Sequence, residues 1–168
     1  VCAEITSVLK RKHPQIKLVG VFVNSSVEEI KDILQTCQLD LAQLHGDETP
    51  ETFAQLAPHA FRAFRGIPES NAGYERDEAP AMLIDAAVKG VYGGSGVTAD
   101  WTAAAELAKK YPLLLAGGLT PENVADAVRQ VRPWGVDVAS GVESTPGGKD
   151  AGKMSAFVKA VREVENQS

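Results

Sequence analysis

The chain has 168 residues, 44% of them hydrophobic and 23% charged, a composition typical of one globular domain rather than of a disordered segment. The formal net charge of −5 argues against a nucleic-acid-binding surface but allows a small anionic ligand, because backbone N–H groups bind phosphate without a basic patch. The two cysteines have no paired-motif spacing, and no apolar run approaches the roughly 18 residues of a membrane span, so we expect a cytoplasmic protein without disulfide bonds, zinc site or membrane contact.

The predicted elements alternate between helix and strand along the chain. It begins in a helix whose apolar residues Val1, Ile5, Val8 and Leu9 share one face. Short apolar strands follow, and because the first is nearly all apolar or small, we expect it to be covered on both faces. The predicted strands are residues 17–24, 39–46, 60–67, 81–86, 113–118 and 135–140.

Helix-start signals follow most of these strands. The segment after the third strand has little apolar content, so we expect only a weak helix there. The predicted helix starts are Ser25-Ser26, Thr49-Pro50, Asp100 before a helix over residues 101–111, Thr120-Pro121-Glu122-Asn123, and a last helix from about Gly152 to Glu165.

This alternation predicts an α/β fold with a parallel sheet and crossover helices, in a single domain over residues 1–168. Periodicity alone leaves open whether the sheet is an open doubly wound one or part of a (β/α)8 barrel. No G-x-G-x-x-G follows the first strand, which removes the main dinucleotide-binding signal.

Polar and glycine residues follow the predicted strands. They are Asn24, His45-Gly46, Asp85, Gly117-Gly118 and Ser140-Gly141. In either architecture the carboxyl ends of parallel strands form the active face. The alternative is that turns require these residue types anyway.

The loops after the last two strands predict a phosphate site. Gly117 and Gly118 precede a helix N-terminus, and Ser140 and Gly141 follow the next strand. Glycines let the backbone approach an anion, and the helix dipole favours negative charge. The glycine cluster at residues 93–96 adds further N–H donors.

Three further residues keep two interpretations each. His45 ends a strand and either faces the site or only holds a loop by hydrogen bonds. Asp137 lies between Val136 and Val138 in a predicted strand, so its side chain faces opposite to theirs. It has either a structural role or a functional one inside a barrel, and the sequence does not favour one over the other. Cys37 ends an amphipathic helix, which favours a packing role.

The motifs VGVFVN, QLHG, LIDA…GGSG…DW, LAGGLTPENV and VDVASGVESTPGGKD resemble phosphoribosylanthranilate isomerase of tryptophan biosynthesis, in order and spacing, from about Ala3 to Phe157. The resemblance implies a (β/α)8 TIM barrel and an Amadori rearrangement of N-(5′-phosphoribosyl)anthranilate, an aldose–ketose isomerisation, without metal or cofactor. It implies that Asp85 is the general acid, which must hold a proton near neutral pH. It places the substrate phosphate at Gly94, Ser95, Gly96, Gly117, Gly118, Ser140 and Gly141. From their positions on the strands, and not from the resemblance, we keep His45 and Asp137 as further candidate binding residues.

The start of the chain departs from the family. The family begins with a strand bearing K-x-C-G, whose cysteine is the general base, and this motif is not in the sequence. The better alignment makes residues 3–13 the family's second helix, with Cys2 a helix residue. We therefore expect about six βα units without the first two strands, open apolar sheet edges that self-associate, and a chain that is inactive alone.

Two alternatives stay open at this point. One is a non-catalytic phosphate-binding module. The other is a different phosphate-binding barrel enzyme, such as a ribulose-phosphate epimerase or a thiamine-phosphate synthase. The sequence has no metal-ligand set of the epimerase kind, and the five motifs fit these two families less well than they fit the isomerase family.

Overall fold

The computed structural model describes residues 1–86 and 101–166. The helices are α1 (Cys2–Lys12), α2 (Val27–Thr36), α3 (Pro50–Leu56), α4 (Trp101–Ala108), α5 (Val124–Val131) and α6 (Ala151–Glu165). The strands are β1 (Val19–Phe22), β2 (Leu41–Leu44), β3 (Ala60–Arg65), β4 (Met82–Asp85), β5 (Leu113–Ala116), β6 (Gly135–Val136), β7 (Glu143–Thr145) and β8 (Gly148–Lys149), and a 3₁₀ turn spans Ser140–Val142.

Strands β1 to β6 follow one another in the sheet in chain order, and β7 and β8 form a separate antiparallel hairpin. The register is parallel for β1 with β2, β2 with β3, β4 with β5 and β5 with β6. Parallel neighbours require crossover connections, most of which are helices here. The predicted α/β architecture with a parallel sheet is therefore confirmed.

The chain divides into two compact units. The first comprises Val1–Ala63 and Ser70–Asp77, and the second comprises Phe64–Glu69 and Glu78–Ser168. The core of the first unit consists of Phe22, Ile30, Ala42, Leu44, Phe53, Leu56 and Ala60. The larger core of the second unit is built around the fully buried side chains of Met82, Ile84, Leu113, Leu115, Val124 and Val131.

Local capping chemistry starts three of the helices at or beside the predicted residues. The Ser26 hydroxyl accepts a hydrogen bond from the Glu29 N–H at 3.2 Å, and the Thr49 hydroxyl accepts one from the Thr52 N–H at 3.3 Å. Asp150 accepts one from the Lys153 N–H at 2.8 Å at the start of α6. Each bond satisfies one of the N–H groups that a helix leaves without an internal partner.

One prediction of burial near the N-terminus is wrong. β1 is not covered on both faces, since Val19 and Val21 are 40% and 61% exposed. Among residues 1–86 and 101–166, β1 is the first strand of the sheet and pairs with β2 alone, so this strand lies at the edge of the sheet and is less enclosed than a central strand. The apolar face of α1 is exposed too, with Ile5 at 54% and Val8 at 39%, and Thr6 is the buried residue of this helix.

The structure also defines the start of α5 and the end of β6. The predicted start of α5 was Thr120-Pro121-Glu122-Asn123, and the regular helix begins just after it, at Val124. Residues 120–123 form the turn that leads into it, in which the Asn123 amide oxygen accepts from the Thr120 N–H at 2.8 Å and the Thr120 carbonyl accepts from the Val124 N–H at 3.0 Å. β6 contains only Gly135 and Val136, because the backbone enters a 3₁₀ turn from Ser140. The weak helix after the third strand is absent from residues 66–81, all of which the structure describes. Among the helices of the described ranges, none combines the length and apolarity needed to cross a bilayer.

Candidate active site

Asp85 is the last residue of β4, at the carboxyl end of a strand whose preceding residues Leu83 and Ile84 are fully buried. Its own side chain is half-buried. Its backbone carbonyl accepts from the Gly66 N–H at 2.8 Å, and the next residue, Ala86, donates to the Ala116 carbonyl at 3.0 Å. The backbone around the carboxyl group is therefore fixed on both sides.

The loop after β5 lies beside this carboxylate. Asp85 pairs with Ala116 in the parallel register, and Gly117 and Gly118 follow Ala116 directly. Both glycines have positive φ, +96° and +65°, a region that L-residues adopt at a cost. Gly118 is exposed, and a Cβ atom there would meet nothing within 4 Å. The carbonyl of Gly118 accepts from the Asn123 side-chain amide at 3.0 Å, which anchors the loop to the start of α5.

The loop after β6 packs against the loop after β5. A Cβ atom on Gly141 would lie 1.8 Å from the carbonyl oxygen of Leu119 and 3.3 Å from the Cα of Thr120. No side chain fits in that space, so Gly141 is required for the two loops to meet. Ser140, next to it, is exposed. The structure therefore places the loop of Ser140 and Gly141 against the end of the loop that begins with Gly117 and Gly118, and a phosphate site there stays a prediction.

Two lysines form hydrogen bonds with residues on either side of the 3₁₀ turn that follows β6. The Lys149 ammonium donates to the carbonyl of Ala139 and to the carboxylate of Glu143, both at 2.8 Å, and Lys153 donates to the carbonyl of Glu143 at 2.7 Å. The hydrogen bond from Lys149, followed by one from the Gly147 N–H, lowers the pKa of Glu143. The hairpin of β7 and β8 is thereby tied to the residue that precedes Ser140.

The other residues predicted for the site are Asp137, Gly94 to Gly96 and His45. Asp137 follows β6, its N–H donates to the Leu115 carbonyl at 2.8 Å, and its side chain is exposed. Gly94, Ser95 and Gly96 lie outside the described residues, as does Asp100. His45 belongs to the first unit.

His45 follows β2 and is half-buried. Its N–H donates to the Phe22 carbonyl at 2.8 Å, and its ring Nδ1 lies 3.0 Å from the side-chain Nε2 of Gln43. Gln43 itself is only 8% exposed. His45 therefore makes hydrogen bonds within the first unit, and both interpretations of this residue stay predictions.

Sequence reasoning missed a buried carboxylate next to His45. Glu48 is 6% exposed, and its two oxygens accept from the Asn24 N–H at 2.8 Å and from the Gly46 N–H at 2.9 Å. Arg62 of β3 forms an ion pair with the same carboxylate, and the Tyr74 hydroxyl donates to the Glu48 carbonyl at 2.7 Å. The network joins the ends of β1 and β2 to β3. The only sequence signal was an acidic residue two positions after the glycine that ends a strand.

The two cysteines lie in the first unit. Cys2 is exposed and is the first residue of α1, so it is a helix residue as expected. Cys37 is the C-cap of α2, and a hydrogen bond with the Cys2 thiol, together with partial burial, raises its pKa.

Parallel strands in chain order, helical crossovers and functional side chains at the strand ends define the class of protein. It is an α/β protein of the TIM-barrel type, in which ligands bind at the carboxyl ends of the strands.

Similarity to known proteins identifies the family within this class. Residues 1–160 match the family model described as N-(5'phosphoribosyl)anthranilate (PRA) isomerase. The curated N-(5'-phosphoribosyl)anthranilate isomerase of Roseiflexus sp. (strain RS-1) is 51% identical over an alignment that covers 96% of this chain and 78% of that protein. The chain belongs to the phosphoribosylanthranilate isomerase family.

Solved structures agree with this assignment. The TrpF structure from Jonesia denitrificans has a TM-score of 0.79 at 35% identity, and the match covers 98% of this chain and 80% of the TrpF chain. A phosphoribosyl anthranilate isomerase in complex with reduced 1-(o-carboxyphenylamino)-1-deoxyribulose 5-phosphate has a TM-score of 0.75 at 31% identity, covering 96% and 78%. The two alternatives, a non-catalytic module and a different barrel family, are thereby set aside in favour of the first interpretation.

Proposed function

We propose that this chain carries the acid and phosphate-binding part of a phosphoribosylanthranilate isomerase, which converts N-(5′-phosphoribosyl)anthranilate into 1-(o-carboxyphenylamino)-1-deoxyribulose 5-phosphate in tryptophan biosynthesis. The substrate is a phosphorylated small molecule. The phosphate is held by backbone N–H groups at Gly117, Gly118, Ser140 and Gly141, with Gly94 to Gly96 as further donors.

Asp85 is the general acid of the rearrangement. Its carboxyl proton goes to the furanose ring oxygen as the C1′–O bond breaks, and the nitrogen lone pair forms the C1′=N bond of a Schiff base. A base then removes the C2′ proton, and the electron pair forms the C1′=C2′ bond of an enolamine, which tautomerises to the ketone. The family resemblance assigns the base to a cysteine in a K-x-C-G strand, and no residue of this sequence matches that motif.

The observation that carries the proposal is the register of β4 with β5. Asp85 pairs with Ala116, so neighbouring strands place its backbone about 4.8 Å from the residue that begins the Gly117-Gly118 loop. Gly141 packs against the same loop at Leu119. A phosphate held by these loops therefore lies within one small-molecule length of the carboxylate that must protonate the ring.

The test is Asp85→Asn in the full gene product that contains this chain. Loss of a general acid lowers turnover about 10²- to 10⁴-fold, and binding of the reduced product analogue should stay close to that of the unmodified protein. Asp126→Asn, at an exposed residue of α5, is the matched control and should leave turnover unchanged. Unimpaired turnover in Asp85→Asn excludes Asp85 as the acid.

Three finer features belong to the same proposal. The protein is cytoplasmic, residues 1–168 form one domain of the barrel, and the exposed edge of β1 allows the chain to self-associate. The apolar exposure at Val19, Val21 and Val23 supports the last of these. The predicted inactivity of the chain alone stays a prediction.

A further inference from the structure

We infer that Lys149 is a positioning residue for the loop after β6, which holds the Ala139–Ser140 peptide so that the Ser140 N–H faces away from the β7–β8 hairpin and donates to the substrate phosphate. This inference rests on the proposed function for the identity of the ligand. The bond between Lys149 and the loop is a property of the folded chain and does not depend on that proposal.

The first step is how the lysine itself is held. β7 and β8 pair antiparallel, and Lys149 lies opposite Glu143 in their register. Side chains that face each other across such a pair are close enough to interact, and the Lys149 ammonium donates to the Glu143 carboxylate at 2.8 Å. The Glu143 side chain is 19% exposed, so this partner is largely withdrawn from water. The hairpin therefore fixes the ammonium beside the loop, within the second unit.

The second step is the bond from the lysine to the loop. The same ammonium donates to the carbonyl oxygen of Ala139 at 2.8 Å. Ala139 precedes the 3₁₀ turn, and its φ of −116° and ψ of −82° are neither helical nor extended. Regular secondary structure therefore does not set the direction of this carbonyl group, and we assign that role to the bond from Lys149.

The third step is the geometry of the peptide. The peptide unit is planar and the bond between Ala139 and Ser140 is trans, so the Ala139 carbonyl and the Ser140 N–H point in opposite directions. A carbonyl group that is held toward Lys149 turns this N–H away from the hairpin. The positive charge beside the carbonyl oxygen also polarises the peptide, which strengthens the N–H as a donor to an anion.

The fourth step is the place of this N–H in the proposed site. Gly141 packs against Leu119, so the turn that carries Ser140 lies against the end of the loop that begins with Gly117 and Gly118. Ser140 is exposed, so its backbone is within reach of a ligand. A donor that is oriented before the phosphate arrives reduces the entropy that binding must overcome.

The first experiment measures the binding of inorganic phosphate to the full gene product by calorimetric titration. Lys149→Met keeps the length of the side chain but removes the ammonium, so the affinity should fall about tenfold, the size of one lost hydrogen bond to a charged group. Lys149→Arg keeps donors for both Ala139 and Glu143 and should restore most of the affinity. If Lys149→Arg binds phosphate as weakly as Lys149→Met, the lysine does not act through these two bonds.

Lys153→Met is the matched variant for this titration. The Lys153 ammonium donates to the Glu143 carbonyl at 2.7 Å, so this lysine also brings a positive charge and one carbonyl bond to the same segment. The peptide that it holds joins Glu143 to Ser144 in the hairpin and supplies no donor to the proposed site. We therefore expect a smaller loss of phosphate affinity in Lys153→Met than in Lys149→Met. Equal losses overturn the inference, because they assign the effect to positive charge alone.

The second experiment observes the peptide by NMR on the full gene product labelled with ¹⁵N and ¹³C. An N–H that donates to an anion is deshielded, so inorganic phosphate should move the Ser140 amide proton downfield in the parent protein. In Lys149→Met the Ala139 carbonyl carbon should move upfield, because it has lost a charged donor. If phosphate moves the Gly117 and Gly118 amides and not that of Ser140, the inference is overturned, and this result needs only the parent protein.

Kinetics separate positioning from general support of the fold. The phosphate takes no part in the bond changes, so its contacts bind the ground state and the transition state equally. Lys149→Met should therefore raise KM for phosphoribosylanthranilate about tenfold and change kcat little. A fall in kcat with KM unchanged overturns the inference. If the parent does not turn over phosphoribosylanthranilate, the proposed function fails, while the phosphate titration and the NMR shifts still decide the role of Lys149.

Discussion

A Cβ atom on Gly141 would lie 1.8 Å from the carbonyl oxygen of Leu119, so the loops after β5 and β6 touch at a point where only glycine fits. This contact sets the distance between two groups of backbone N–H donors. It also makes Gly141 a specific probe of the phosphate site.

Gly141→Ala should weaken phosphate binding because one of the two loops must move to accommodate the methyl group. Overpacking of this kind costs about 1–3 kcal/mol, and a loss of that size in binding corresponds to a fall in affinity of roughly tenfold or more. The measurement is calorimetric titration of the full gene product with the reduced product analogue.

Gly147→Ala is the matched control for that variant. Gly147 lies in the turn between β7 and β8 with φ of +78°, and a Cβ atom there meets nothing within 4 Å. The replacement costs about 1 kcal/mol of backbone strain without a clash, so affinity should hold. Equal losses in the two variants would show that strain in the hairpin region, and not contact with Leu119, governs the affinity.

The buried Glu48–Arg62 pair predicts a large stability effect. Glu48→Gln removes the negative charge from the buried ion pair with Arg62, whose side chain is only 12% exposed. Breaking a buried pair in this way costs about 3–5 kcal/mol. Urea unfolding should show a lower midpoint with an unchanged slope.

The exposed pair of Lys159 and Glu163 on α6 is the comparison for Glu48. Glu163→Gln should change the free energy of unfolding by less than about 1 kcal/mol, because water already solvates both groups. A Glu48→Gln protein as stable as Glu163→Gln would mean that the Arg62 ion pair contributes no net stability.

The sequence was sufficient wherever the determining contacts are local. Ser26 and Thr49 start their helices by bonding an N–H three residues away, a relation that is visible in the sequence itself. Asp85 at the end of an apolar strand is similarly visible. Thr120 also makes the local bonds of a helix start, since its hydroxyl accepts from the Glu122 N–H at 3.3 Å and its carbonyl accepts from the Val124 N–H at 3.0 Å, although the regular helix begins only at Val124.

Non-local contacts could not be predicted from one sequence. Glu48 is bound by Asn24 and Arg62, which are distant along the chain, so neither its burial nor its role follows from its neighbours in sequence. The exposure of β1 depends on which strands flank it, and the apolar pattern of VGVF is the same for a covered strand and an edge strand. Gln43 was missed for the same reason, since its burial is set by β1 and β3.

Asp40 predicts a pH-dependent part of the stability. Burial alone would raise its pKa, but hydrogen bonds from the Leu18 N–H at 2.7 Å and the Lys10 ammonium at 2.6 Å lower the pKa overall from its ordinary value of 3.8. A carboxylate whose folded pKa is depressed contributes stability that is present above the unfolded pKa and lost as the pH falls through the folded pKa. The contribution of Asp40 should therefore be complete at pH 7, begin to decrease as the pH approaches 3.8, and be lost as the pH falls further through the lower folded pKa.

The measurement is urea unfolding of the parent and of Asp40→Asn at neutral and acid pH. We expect Asp40→Asn to be less stable at pH 7, with the difference shrinking as the pH falls below 4. Asp126→Asn, at an exposed ion pair with Arg129, should show a small difference throughout. A gap between parent and Asp40→Asn that is constant with pH would exclude the titration of Asp40 as its cause.

The edge of β1 predicts self-association of the isolated chain. Val21 of β1 and Val23, which follows the strand, are 61% and 58% exposed, and β1 is the first strand of the sheet that the described residues form. The outer backbone edge of such a strand, beside apolar side chains, is a template for a second strand. Val21→Lys places a charge on this edge, so sedimentation velocity should show less of the associated species at equal concentration. Met154→Lys, at a residue of α6 that is 48% exposed, removes a similar amount of apolar surface away from the edge and should leave association unchanged. If both variants reduce the associated species equally, the association depends on exposed apolar surface in general and not on strand pairing along β1, because Val21 is in β1 and Met154 is not.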